Sequence, residues 1–307
     1  MFTFIARRCL QAIPVVIGVS FAVFMLMHLL PGDPAVIMAG EVASPAQVEQ
    51  MRRNLGLDQP VLVQYWRYLT NALRGDLGTS IRTNMPVTNE IFDVRFFVTV
   101  QLAVVATAAS MLMGLVIGIV SVVWRRSFID TLLMLIALAG LSMPNFWLGV
   151  IFINFFSLNR GWLPITGWGT PAQMVMPTLM LGISGAAVIA RMTRASMLEV
   201  FNQDYIRTAY AKGASERIVI FRHALRNALI PVITVVGLQF GFLLSGAVIS
   251  ENIFAINGLG RLMIQSLSTR DFPTAQGAIL ICSLLFVLVN MAVDVTYRFV
   301  NKRIELN

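Results

Sequence analysis

Hydrophobic positions along the chain gather into six long runs, at residues 10–30, 98–123, 132–156, 175–192, 229–249 and 277–300. A helix needs about 20 apolar residues to cross a hydrocarbon layer roughly 30 Å thick, and each run is near that length. The pattern predicts an all-α integral membrane protein with six transmembrane helices. Between the first two runs, residues 31–97 change character. In SPAQVEQMRRNLGL, Ser44 is placed as an N-cap, Pro45 at the first helical position and Gln47 to close a capping box. Val48, Met51 and Leu55 then share a face, and Gly56 stops the helix. A second helix fits QPVLVQYWRYLTNALRG, with Trp66, Leu69 and Leu73 on one side and Gly75 as terminator. This segment reads as a small helical cap on the membrane surface or as a docking surface for a partner.

A different pattern separates the fourth and fifth runs. In MLEVFNQDYIRTAYAKGASERIVIFRHALRNALIP, Leu198, Phe201, Tyr205 and Ala209 recur at helical spacing, and Ile218, Phe221 and Leu225 do so again after Gly213. Two amphipathic helices are expected, joined at a stiff elbow. Gly213 supplies the left-handed conformation that ends the first helix; Ser215 and Glu216 provide a cap and a first-turn acid for the second. Ala209, Ala211 and Ala214 leave room for another protein's surface to approach. The competing reading lays both helices in the bilayer interface, with arginines on lipid phosphates.

Charge adds orientation. Most of the 23 Lys and Arg residues fall on one side of the six runs: Arg7, Arg8, Arg125, Arg126, the series from Arg191 to Arg226, and Arg298, Lys302 and Arg303. Basic residues near span ends stay on the inner face, so both termini and the elbow are expected in the cytoplasm and 31–97 outside. The basic balance is thus an orientation signal, and no nucleic-acid partner is called for. The composition, 57% hydrophobic and 12% charged, agrees with a membrane protein. The first run is expected to stay as a signal-anchor, because no small-residue cleavage site follows it. Cys9 and Cys282 fall in or beside apolar runs with no metal-ligand or disulfide spacing.

Chemistry within the spans is sparse. Asp294 lies near an inner helix end, and no other acid is well inside a span, whereas carriers driven by ions keep carboxylates near the midplane. No Gly-Lys-Ser/Thr phosphate loop occurs. Energy for uphill transport is therefore expected from another polypeptide. Pro144, Pro177 and Pro231 predict kinks. Asn145, Asn154, Gln239 and Asn290 are uncharged polar residues that line a solute path or bridge helices, and Gly237, Gly241 and Gly246 suit close helix packing. Two rival readings stay open. One is a stand-alone secondary carrier or channel. The other is an intramembrane serine protease built on Ser184 of GISG, which needs a histidine base; the two histidines, His28 and His223, fall at an outer span end and in the elbow.

The stretch YIRTAYAKGASERIVIFRHALRNALIPVIT resembles the cytoplasmic coupling loop of ATP-binding-cassette importer permeases of the dipeptide, oligopeptide, glutathione and nickel group. The general loop reads Glu-Ala-Ala, three residues, Gly, then Ile and Leu-Pro. This chain keeps Ala209, Gly213 and Leu225, and has Arg207 for the glutamate, Thr208 for the first alanine, His223 for the isoleucine and Arg226 for the proline. HLLPGDPA, LGLDQP, QYWRYLTNALRGDLGTSI, SMPNFWLGV, GWLPITG and FAINGLGRL extend the likeness over nearly the whole chain, in the form of the B-type first permease of the pair. The resemblance implies a permease half in the bacterial inner membrane, with no catalytic residue and no bound metal or cofactor. It implies a homologous second permease, two cytoplasmic ATPases that use ATP and Mg, and an extracytoplasmic solute-binding protein. The ATPase-contacting residues it implies are Arg207, Thr208, Ala209, Ala211, Lys212, Gly213, Ala214, Ser215, Arg222, His223 and Leu225, within a coupling loop at about 194–228. The chain is then parsed as 1–30, the cytoplasmic N-terminus and first span; 31–97, the extracytoplasmic segment; 98–300, the five-helix core; and 301–307, a cytoplasmic tail.

Overall fold

The computed structural model describes residues 2–29, 33–40 and 43–300. The Leu30 to Gly32 part of HLLPGDPA and the expected tail 301–307, with Lys302 and Arg303, lie outside the described residues. In chain order the helices are α1 (Phe2–Leu29), α2 (Pro34–Ala39), α3 (Pro45–Leu55), α4 (Val61–Leu73), α5 (Val87–Glu90), α6 (Phe96–Val123), α7 (Phe128–Ser142) and α8 (Asn145–Phe152). There follow α9 (Pro171–Phe201), α10 (Asp204–Ala211), α11 (Glu216–Ile218), α12 (Leu225–Gly246), α13 (Val248–Ile253), α14 (Leu259–Ser268) and α15 (Phe272–Val300). Wider π-helical turns at Ile91–Arg95, Ile153–Leu158 and Val219–Ala224 prolong α5, α8 and α11.

Two compact units divide the chain, one of Met1–Thr99 with Asn257–Val287 and one of Val100–Ile256 with Leu288–Asn307. In the first, the helix punctuation expected at α3 is present. Ser44 and Gln47 close a reciprocal capping box, and Gly56 caps the far end in the left-handed region at φ 68°. Leu77, Val87, Ile91, Leu259, Leu262 and Ala278 form its core. Asp271 ties the 78–86 loop to α15: its carboxylate accepts from Ser80 Oγ at 2.5 Å, Ile81 N–H at 3.1 Å and Thr274 Oγ1 at 2.8 Å.

In the second unit α7, α8 and α12 all pack on α9. Small residues bring α6 and α9 together: a Cβ at Gly114 or Gly118 would stand 2.6 Å from the Cβ of Ile189 or Thr193. Without those side chains two helix backbones approach closely, as membrane helices do where packing is the attraction left to them.

Five helical stretches among the described residues are long and apolar enough to cross a membrane: Ala6–Met25, Val87–Val123, Pro171–Phe201, Glu216–Leu244 and Phe272–Val295. The sixth expected span, 132–156, is not a single rod. Phe128–Ser142 and Asn145–Leu158 meet at a bend of 100°. Pro144 has no N–H to continue the ladder and pushes its predecessor out of the helical region, so Met143 is extended at φ −78°, ψ 128°. Pro177 and Pro231, by contrast, are absorbed within α9 and α12. The second span also begins earlier than the apolar run did, at Val87 instead of 98, because α5 and the π turn lead without interruption into α6.

Candidate functional site

The charged segment between the fourth and fifth spans folds as an elbow, with corrections to the two-helix expectation. Leu198 and Phe201 end α9, and Asn202 and Gln203 interrupt the helix before α10 begins at Asp204. The expected second amphipathic helix does not stand alone: Glu216, the π turn and α12 run into the fifth span as a single element, Glu216–Leu244. Ser215 occupies the N-cap position but its side chain makes no capping hydrogen bond.

Gly213 performs the turn. At φ +80° it follows α10, its N–H donating to Tyr210 O at 2.9 Å while Ala214 N–H donates to Ala209 O at 3.1 Å. These are the paired bonds of a Schellman termination, which satisfies helix-end carbonyls and makes the corner stiff. Among the described residues, nothing lies within 4 Å of the position a Gly213 Cβ would take. Its backbone conformation favours glycine, and its surroundings leave open space among the described residues.

An apolar cluster beneath the corner holds it to the spans. Ile206, only 1% exposed, is packed with Val122, Met197, Val219, Ile220, Ala224 and Ala228. Ala209, Ala214 and Leu225 pack on this cluster, so the two alanines expected to admit a partner face inward, and Ala211 alone of the three is exposed. Asn227 Nδ2 donates to Tyr205 Oη at 2.7 Å and to His223 O at 3.3 Å, tying α10 to the start of α12. Arg207, Thr208, Lys212, Gly213, Ser215 and Arg222 are exposed, and His223 is half-buried. The Arg207–Asp204 pair, 3.7 Å apart, is exposed on both sides and worth little by itself. Tyr210, Ile218 and Phe221 also present large apolar surface on the elbow. The sequence reading did not select these three for contact; an apolar residue exposed on a polar element was the signal.

Close by, Arg194 grips Asp130 with a two-pronged fork, Nε to Oδ1 and Nη2 to Oδ2, each 2.8 Å. Ser121 Oγ also donates to that carboxylate, as does Arg126 N–H at 3.2 Å. The ends of α6, α7 and α9 are thereby joined at one carboxylate. Charge counting had placed Arg194 on the inner side without revealing its partner.

A second feature lies at the broken span. Leu141, Met143, Pro144 and Asn145 at the bend, Leu181, Ser184 and Gly185 on α9, and Gln239, Phe242 and Leu243 on α12 surround a cavity of about 500 Å³. Two of the expected path residues, Asn145 and Gln239, are thus brought to one cavity. Both are half-buried, and neither side-chain amide has a hydrogen-bond partner among the described residues. The other two are elsewhere. Asn154 Oδ1 accepts from Asn159 Nδ2 at 2.8 Å at the end of the π turn, and Asn290 lies on α15 outside the lining. Ser184 Oγ donates to Leu181 O at 3.2 Å, within its own helix. No group of three or more His, Cys, Asp or Glu able to hold a metal occurs among the described residues.

Known proteins agree with this architecture. Residues 85–306 match the family described as binding-protein-dependent transport system inner membrane component, and residues 1–103 match the N-terminal model of such membrane components. Among relatives, the glutathione transport system permease protein GsiC of Pectobacterium atrosepticum is 47% identical over 305 residues, covering 99% of each chain. GsiC of Escherichia coli K12 is 45% identical with the same coverage. Among solved structures, the inward-facing MetNI methionine transporter aligns over 67% of this chain and 94% of its own, with TM-score 0.59 and 20% identity. An amino acid transporter solved with histidines aligns over 66% and 90%, with TM-score 0.52 and 18% identity. The chain therefore belongs to the binding-protein-dependent transport system inner membrane components, and is a multi-pass permease subunit of an ATP-binding-cassette importer in the bacterial inner membrane.

Proposed function

We propose that this permease carries glutathione or peptides of similar size inward, taking its energy from ATPase subunits that dock on the elbow. The relatives at 45–47% identity are named for glutathione transport, which supports that substrate class. In this reading the chain pairs with a homologous second permease, two cytoplasmic ATPases and an extracytoplasmic solute-binding protein. ATP and Mg are used by the ATPases, and this chain binds no cofactor. Both termini and the 194–228 loop face the cytoplasm, 31–97 lies outside, and 98–300 forms the core.

The observation that carries the coupling role is the rigid corner at Gly213. Force applied to a floppy loop is absorbed; here the corner is closed by two backbone hydrogen bonds, seated on the Ile206 cluster and continuous with the fifth span. Arg207, Thr208, Ala211, Lys212 and Ser215 ring its exposed side. Such charges set register more than affinity. In the reconstituted complex, Gly213→Trp is expected to assemble in the membrane, since the new side chain enters open space, yet to lose transport and substrate-stimulated ATP hydrolysis. Normal stimulated hydrolysis would reject the coupling role.

For the solute, the cavity beside Pro144 offers amides and a hydroxyl and no charged lining residue. Asn145 and Gln239 suit the amide groups that any short peptide carries, leaving side-chain selection to the external binding protein. Solute accumulation by the purified chain alone under an ion gradient would favour the stand-alone carrier instead.

A further inference from the structure

We infer that α4 is a lipid-embedded interfacial helix, its Leu62, Trp66, Leu69 and Leu73 flank lying among phospholipid acyl chains instead of against a protein. At 100° per residue these four side chains fall within about 60° of arc, while Gln64, Arg67 and Asn71 centre roughly 160° away. No residue of α4 is fully buried: Leu62, Trp66 and Leu73 are 73%, 66% and 80% exposed. A helix with a narrow, exposed apolar flank opposite a polar one is the pattern of an interfacial helix.

Two observations select lipid as the occupant. The first is depth. Tyr65 Oη lies 2.8 Å from Ser20 Oγ and donates to Ile17 O at 3.2 Å, and its ring meets those of Phe21 and Phe24 at 5.1 and 5.5 Å. Ile17 and Ser20 lie within the apolar span Ala6–Met25, and Ile17 is about 18 Å along the helix axis from the end of α1 at Leu29. Tyr65 therefore holds α4 beside the membrane-crossing part of α1, below its tip. The second is continuity. Leu10, Ile13, Ile17 and Phe21 are exposed on α1, an apolar surface within the span, and α4 is seated at that same stretch. The only charge on α4 is Arg67, on the polar flank, where it favours the phosphate level; Trp66 suits the boundary between headgroups and chains. The inference concerns depth and holds whichever face of the membrane residues 31–97 occupy.

Depth is measured on the whole transporter complex, reconstituted in vesicles of phosphatidylethanolamine and phosphatidylglycerol. Cys9 and Cys282 are replaced by alanine, and nitroxide labels are placed at Leu62→Cys, Leu69→Cys or Leu73→Cys on one flank and Gln64→Cys or Asn71→Cys on the other. Labels on the leucine flank are expected to collide with oxygen at least roughly threefold more readily, relative to a water-soluble nickel chelate, than labels on the polar flank. Equal nickel accessibility on both flanks overturns the inference, as does a leucine flank shielded from oxygen and nickel alike, which would mean that a protein covers it. Adding the chelate to one side of the vesicles reports orientation separately, so a wrong assignment of faces is distinguished from a wrong depth.

Discussion

The elbow and the cavity beside Pro144 belong to one unit and share α9 and α12, yet they are built in opposite ways. At the elbow, polar sequence is made stiff: the turn at Gly213 has its hydrogen bonds closed, Asn227 ties Tyr205 to His223, and Ile206 plugs the corner into the ends of three spans. At the cavity, apolar sequence is left open. The backbone breaks at Pro144, and the side-chain amides of Asn145 and Gln239 find no hydrogen-bond partner among the described residues. Under the proposed function, a part that passes on movement must not yield, whereas a part that meets a passing solute must hold groups in reserve and hold nothing tightly. Unpaired half-buried amides cost stability, so their place is where something else supplies the partner for a moment.

This contrast can be broken at several points. The largest effect is that of Gly213→Trp, complete loss of stimulated hydrolysis with assembly intact. Next, Arg194→Gln leaves the Asp130 carboxylate without its fork and is expected to cost about 3 kcal/mol, read as a lower unfolding temperature of the purified subunit, with Arg194→Lys recovering only part because it cannot grip both oxygens. At the cavity, Asn145→Leu and Gln239→Leu are each expected to slow transport about tenfold while substrate-stimulated ATP hydrolysis stays within about twofold of normal. A parallel fall in hydrolysis would mean that cavity and elbow are not separable. Smallest is Gly213→Ala, which has room for its methyl group and pays only for the left-handed backbone, about 1 kcal/mol, with transport close to normal.

How much of this was legible depended on the range of the interaction. Helix punctuation is local, so Ser44, Pro45 and Gly56, and the turn at Gly213, were readable from neighbours in sequence and are present as read. Lengths of apolar runs are local as well, and they marked the spans. Ser215 shows the limit of such reading: the residue type suits an N-cap and sits at that position, but the hydroxyl makes no bond there. Ala209 and Ala214 show it again, since small residues read as room for a partner are the ones that fit under the corner.

By itself the sequence determined the chemistry and the medium: an apolar, sparsely charged chain that must bury its backbone polar groups as helices in lipid, a basic asymmetry, no phosphate loop and glycines such as Gly56 and Gly213 where the chain turns left-handed. Tertiary structure alone decided which proline breaks its helix, which two of four amides meet at a cavity, which carboxylate Arg194 grips and how deep Tyr65 draws α4 along α1. The physical reason is common to all four. Each outcome is set by a partner distant along the chain, and a proline, an amide or an arginine carries the same local preferences whether or not packing brings that partner within reach.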